Sequence, residues 1–164
     1  MPPRKPKAEP TIDYHLSSAF KDDDIISLIL KGHLVIEAMT AKILEHIGFG
    51  DEIWKWSFPK KIDECVANSP MPQWIGNICL DINEIRNDYC HSLGHQTTFD
   101  EIFEYVQKWS ESGLEYTDET IYSDKVYSEE CYGLEGILTE TLSNTMFEIN
   151  EVFSALGIKE TYLA

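Results

Sequence analysis

The stretch Glu84-Ile85-Arg86-Asn87-Asp88-Tyr89-Cys90-His91 gathers an arginine, an asparagine, a cysteine and a histidine where an apolar-periodic helix should end. These side chains suit chemistry on a phosphodiester. Cleavage by a neighbouring 2′-hydroxyl needs a base near neutral pH, an acid for the leaving 5′-oxygen, and positive charge on the phosphorane-like transition state. An imidazole titrates in the right range for the first two roles. A guanidinium supplies a rigid two-pronged donor for the third. No metal ion or cofactor is required.

The spacing constrains how such a site would be built. Residues four apart on an α-helix share a face, so Asn87 and His91 would be neighbours. Residues five apart lie roughly 140° apart around the axis. Arg86 would reach round from the side, or Gly94 would loosen the helix end and let His91 turn toward the same cleft. A single His91 serves poorly as both base and acid, which points to two copies meeting across a homodimer. The bland alternative is a C-terminal cap, with Arg86 and His91 placed as cations at the negative end of a helix.

Periodicity supplies the elements that position these residues. Residues 21–48 read as a long helix with Asp22, Asp23 and Asp24 at its positive end and a stripe from Ile25 to Ile47 at three- and four-residue steps. A short helix follows over 57–68, with Ser57 as N-cap and Phe58, Ile62 and Cys65 or Val66 facing inward. Pro72 opens the third helix, whose inner face is Trp74 or Ile75, then Ile78, Ile82, Ile85 and Tyr89; this helix carries the polar cluster. A fourth begins at a capping box, Thr98 to Glu101, and buries Phe99, Ile102, Phe103, Val106 and Trp109. Residues 113–127 lack a clean period and read as a loop or short edge strand. The last helix spans about 128–156 and ends at Gly157. The expected fold is all-α, an antiparallel bundle of about five helices in one domain over 13–164. The proline-rich, basic segment 1–12 is expected to be disordered.

Composition sets the outer bounds. The 164-residue chain is 43% hydrophobic and carries a net charge of −16. Residues 100–164 hold 15 acidic residues against 3 basic ones, so most of the acidity belongs to the C-terminal part. That sign counts against DNA binding and lowers the expectation for RNA. No apolar run approaches the roughly 20 residues of a membrane span, and no apolar segment follows the basic N-terminus as a signal peptide requires. A cytoplasmic protein is the expectation.

Cys65, Cys79, Cys90 and Cys131 form no paired spacing and read as buried free thiols. A zinc site from Cys79, Cys90, His91 and Cys131 has the right element count but not the short ligand spacings. His33 reads as a packing or interface residue, with Glu37 one turn on as its hydrogen-bond partner. His46 reads as a helix-end cation. His95 follows the cluster closely enough to assist phosphate binding.

The segment Arg86-Asn87-x-x-x-His91 resembles the motif of the HEPN superfamily, an arginine followed four to six residues later by a histidine, often with a polar residue after the arginine. The order of helices over about 21–110 is also similar, closest in layout to the mannitol-repressor-like group. The resemblance implies an all-α bundle that dimerises with its motifs facing each other. It further implies a metal-independent ribonuclease, often a toxin or defence effector restrained by an antitoxin or regulatory partner. His91 would be the acid/base, Arg86 the phosphate or transition-state group, and Asn87 their orienting residue. Some members of the family only bind or scaffold, so a non-catalytic dimer using its acidic C-terminal helix on a partner is the alternative. An inhibitor mimicking nucleic acid with the acidic C-terminal part is a third. Asp88 beside the motif departs from what a phosphate site wants.

Overall fold

The computed structural model describes residues 23–92 and 94–159, and the basic segment 1–12 lies outside them. Helix α1, Asp23–His46, forms around the expected stripe. Ile29, Ile36, Met39, Ile43 and Leu44 are its buried side chains, with His46 in its last turn. A 3₁₀ turn, Asp51–Lys55, buries Ile53 and leads into α2, Phe58–Asn68. The Ser57 hydroxyl accepts from the Lys60 N–H, which satisfies one orphan donor of the α2 N-terminus. Helix α3, Gln73–His91, starts after Pro72 and buries Ile75, Ile78, Ile82 and Ile85, while Trp74 and Tyr89 are half-buried. Helix α4, Phe99–Ser112, has the expected capping box, with the Thr98 and Glu101 side chains each accepting the other's backbone N–H.

The segment after α4 differs from its expected form. It is a loop as far as Glu119, followed by two short helices, α5 (Thr120–Ser123) and α6 (Lys125–Cys131). No strand occurs among the described residues. The expected helix over 128–156 is divided: α6 stops, and α7 runs Gly133–Leu156. The break falls where Gly133 takes φ +64°, a left-handed backbone that interrupts a helix and that glycine adopts without a Cβ clash.

The result is an all-helical bundle. Helix α1 packs on α2, α3 and α7, and α7 in turn packs on α3, α4 and α6. The acidic C-terminal part is therefore structural: Ile137, Leu138, Leu142, Ile149, Val152 and Phe153 join the same core cluster as α1. Two glycines set the closeness of the helices. A Cβ on Gly32 would lie 2.7 Å from a Leu142 methyl, and one on Gly76 would lie 2.8 Å from Val66 Cγ2 and 3.3 Å from Ile62 Cγ2. Among the described residues no helix is long and apolar enough to cross a membrane.

Side chains tie the segment 113–119 to α7. The Thr117 N–H and hydroxyl both donate to Glu140 Oε1, at 2.6 and 2.7 Å. The Asn144 amide donates to the Glu115 carbonyl at 2.8 Å, and the Tyr116 hydroxyl meets Thr141 Oγ1 at 2.8 Å.

The α2–α3 contact gives a prediction. Val66 and Ile62 are β-branched residues with few rotamers on a helix, so they cannot move aside freely for a new methyl group. Overpacking of this kind costs about 1–3 kcal/mol, against about 1 kcal/mol gained in helix propensity. Gly76→Ala should lower stability by about 1 kcal/mol net in urea titration; a raised urea midpoint would contradict this account.

Candidate functional site

Helix α3 remains regular through His91, and the Ser92 N–H still bonds to the Asp88 carbonyl at 3.1 Å. The helix does not loosen before His91. The ideal angular separation therefore holds, and Arg86 and His91 point to different sides of α3. Arg86 and Asn87 are half-buried and line a cleft of about 650 Å³, whereas His91 is exposed and outside it. Within one chain the structure brings Arg86 together with Asn87, through a hydrogen bond from Nη1 to Oδ1 of 3.0 Å. No hydrogen bond joins His91 to either among the described residues, although Asn87 and His91, four apart on the regular helix, stay on neighbouring turns of one face.

The cleft is walled by α1, the start of α2 and α3. His33 and Glu37 come from α1, Trp56, Ser57, Phe58 and Pro59 from the entry to α2, and Asp81, Asn83, Glu84, Arg86 and Asn87 from α3. His33 occupies a core position of the α1 stripe, between Ile29 and Ile36, and is only 4% exposed. Its Nε2 lies 2.9 Å from Asn83 Oδ1, and its ring packs against Phe58 at 4.3 Å between centroids. The expected partner of His33, Glu37, is instead taken by Lys61, whose Nζ donates to Glu37 Oε1 at 2.6 Å. Lys61 is itself 4% exposed, and a buried ammonium needs a counter-charge more than a neutral imidazole does. That is why the carboxylate goes to α2.

Burial pushes the pKa of His33 down, and the positive charges of Arg86 and Lys61 add to that; the Asn83 bond and Glu37 oppose it. At neutral pH the ring is uncharged. On α3, Asp81 accepts from Lys108 Nζ at 2.8 Å and from Trp109 Nε1 at 2.9 Å, which ties α3 to α4. Glu37 and Asp81, both lining the cleft, therefore each face a cation.

His95 lies in a second, smaller hollow of about 350 Å³, with Asp88, Tyr105 and Lys108. Its Nε2 meets Thr97 Oγ1 at 3.3 Å and its ring sits edge-on to Tyr89 at 5.0 Å. These bonds order the turn into α4. The cysteines divide. Cys65 and Cys79 are buried, and burial lifts both thiols to about 12, so they stay protonated and inert. Cys90 and Cys131 are exposed, contrary to the expectation that all four are buried. Cys79, Cys90, His91 and Cys131 are not gathered, and no group of three or more His, Cys, Asp or Glu among the described residues is arranged to hold a metal ion.

His33 and Asn83 are the site residues that sequence reasoning missed in their role. A histidine in the middle of an apolar stripe was a signal that it needed a polar partner. The partner, 50 residues away on another helix, carried no local mark.

No family model, curated protein or solved structure matches this chain.

The buried imidazole gives a pH prediction. Its folded pKa lies below the ordinary 6.5, so as pH falls below 6.5 the unfolded chain takes up a proton before the folded chain does. Stability should fall from that pH downward until the lowered folded pKa is passed. Urea midpoints measured from pH 7.5 to about 5.5 should show this limb. His33→Gln should lack it, and an identical limb in that variant would assign the effect elsewhere.

Proposed function

We propose that the chain is a metal-independent endoribonuclease of the HEPN type, acting as a homodimer. The observation that carries this reading is the Arg86–Asn87 pair at a cleft of about 650 Å³, with an exposed imidazole, His91, on the last turn of the same helix. A guanidinium at a cleft is suited to a phosphate, and an imidazole on the open side of the helix is available to a second copy. In the dimer, one protomer's His91 takes the proton of the 2′-hydroxyl as it attacks phosphorus. The partner's His91 gives a proton to the departing 5′-oxygen. Arg86 holds the charge that builds on the non-bridging oxygens, and Asn87 steers the guanidinium. The products are a 2′,3′-cyclic phosphate and a free 5′-hydroxyl. A toxin or defence role under the restraint of a protein partner follows from that family resemblance.

A second reading has its own support. Glu37, Asp81 and Glu84 line the cleft, Asp88 follows the Arg86–Asn87 pair, and the exposed apolar residues Val126, Tyr127 and Phe147 lie in the acidic C-terminal part. This arrangement suits a non-catalytic regulatory protein that engages a basic partner.

Total RNA incubated with purified protein in EDTA separates the two. The ribonuclease reading expects cleavage to cyclic-phosphate ends by the wild type. His91→Ala should lower the rate by at least about 100-fold, and Arg86→Ala by a similar factor. The dimer should persist in both variants by light scattering. Absence of turnover in a confirmed dimer would favour the regulatory reading, and equal cleavage by wild type and His91→Ala would remove His91 from the chemistry.

A further inference from the structure

Asn83, Arg86 and Asn87 stand at positions i, i+3 and i+4 of α3, so they share one face of the helix, and all three line the cleft. Their hydrogen bonds sort their atoms. Asn83 Oδ1 lies 2.9 Å from His33 Nε2; a carbonyl oxygen only accepts, so that ring nitrogen carries the proton. Asn87 Oδ1 accepts from Arg86 Nη1 at 3.0 Å. Both amide oxygens are occupied, and neither amide nitrogen makes a hydrogen bond among the described residues. Asn83 is 8% exposed, yet its nitrogen is not among the buried polar atoms left without a partner. Its NH₂ group therefore opens on the cleft. Arg86 spends one of its five N–H groups on Asn87.

Beside the Asp81 and Glu84 carboxylates of the same helix, Asn83, Arg86 and Asn87 thus present three donors to the cleft: an amide NH₂, a guanidinium and a second amide NH₂. That is the inventory of an oxyanion receptor, with a positive centre flanked by neutral donors whose rotation is fixed by their other bonds. Part of the nearby negative charge is compensated, since Glu37 is paired with Lys61 and Asp81 with Lys108. Trp56 and Phe58 line the cleft beside the donors, and a space of about 650 Å³ admits an unpaired nucleotide but not a duplex.

We propose that Asn83, Arg86 and Asn87 form a receptor for one phosphodiester group of single-stranded RNA, and that His33 is a positioning residue that turns the Asn83 amide toward it. The identity of the ligand rests on the ribonuclease reading above; the donor array does not depend on His91 or on turnover.

The test is binding of a short single-stranded RNA with 2′-O-methyl groups, which 2′-attack cannot cleave, followed by fluorescence anisotropy. Asn83→Asp keeps an oxygen for His33 and replaces the cleft-facing NH₂ with a second carboxylate oxygen. It should bind at least about tenfold more weakly with its thermal midpoint retained. Should Asn83→Asp fail to fold, Asn87→Asp makes the same exchange beside Arg86 and carries the same expectation. His33→Gln, which retains an N–H donor, should keep affinity within about threefold, while His33→Leu should lose it although both fold. Unchanged affinity in a folded Asn83→Asp, or no binding by the wild type, would overturn the receptor. Binding as expected by a wild type that leaves ordinary RNA intact would uphold the receptor and remove the ribonuclease reading.

Discussion

The hydrogen bond between His33 and Asn83 is the constraint on which the cleft depends. It joins α1 to α3 inside an otherwise apolar contact, where a polar group without a partner costs about 1–3 kcal/mol. Hydrophobic packing would tolerate a small rotation of α3 against α1; this bond does not, because rotation strands both groups. Arg86 and Asn87 follow Asn83 by three and four residues, so fixing Asn83 fixes the side of α3 on which they emerge. The Lys61–Glu37 pair at 2.6 Å then locks α2 to α1 on the other wall. Two polar contacts, each made across helices, hold three helices around one hollow.

The charge distribution is less hostile to this site than the total suggests. A net charge of −16 describes the whole chain, whereas the cleft carries a guanidinium and three carboxylates, of which Glu37 and Asp81 are paired with lysines. Much of the remaining acidity lies on exposed positions of helices whose opposite faces are core. Glu135 and Glu151 of α7 are exposed while Ile137, Leu138, Val152 and Phe153 are buried. At Glu148, burial first, and then Glu115 and Glu151, push the carboxyl above its ordinary range. Acidity here is the solvated side of an amphipathic helix.

The long helices were legible because their apolar period repeats over three or more turns. The starts of α2 and α4 were legible because Ser57 and Thr98 are specific capping signals. Helices α5 and α6 were not: they span four and seven residues and bury only Ile121 and Ser128, too little for a period to emerge. The division at Gly133 was half-legible, since a glycine there weakens a helix but its left-handed φ depends on packing around it. Within the site, the angle between Arg86 and His91 followed from helix geometry alone. The pairing of His33 with Asn83, and of Glu37 with Lys61, did not, because it is decided by which groups become buried together after the helices pack.

Helix α1 and helix α7 meet at Gly32 and Leu142, close enough that a single methyl group would collide. On the ribosome these two partners are made on the order of a hundred residues apart. At about 5–20 residues per second, the stripe of α1 waits roughly 5–20 s for the helix that will cover it. During that interval α2 and α3 are the main neighbours available to α1. The contact between α1 and α7 is thus the last of the main α1 contacts whose partner is synthesised.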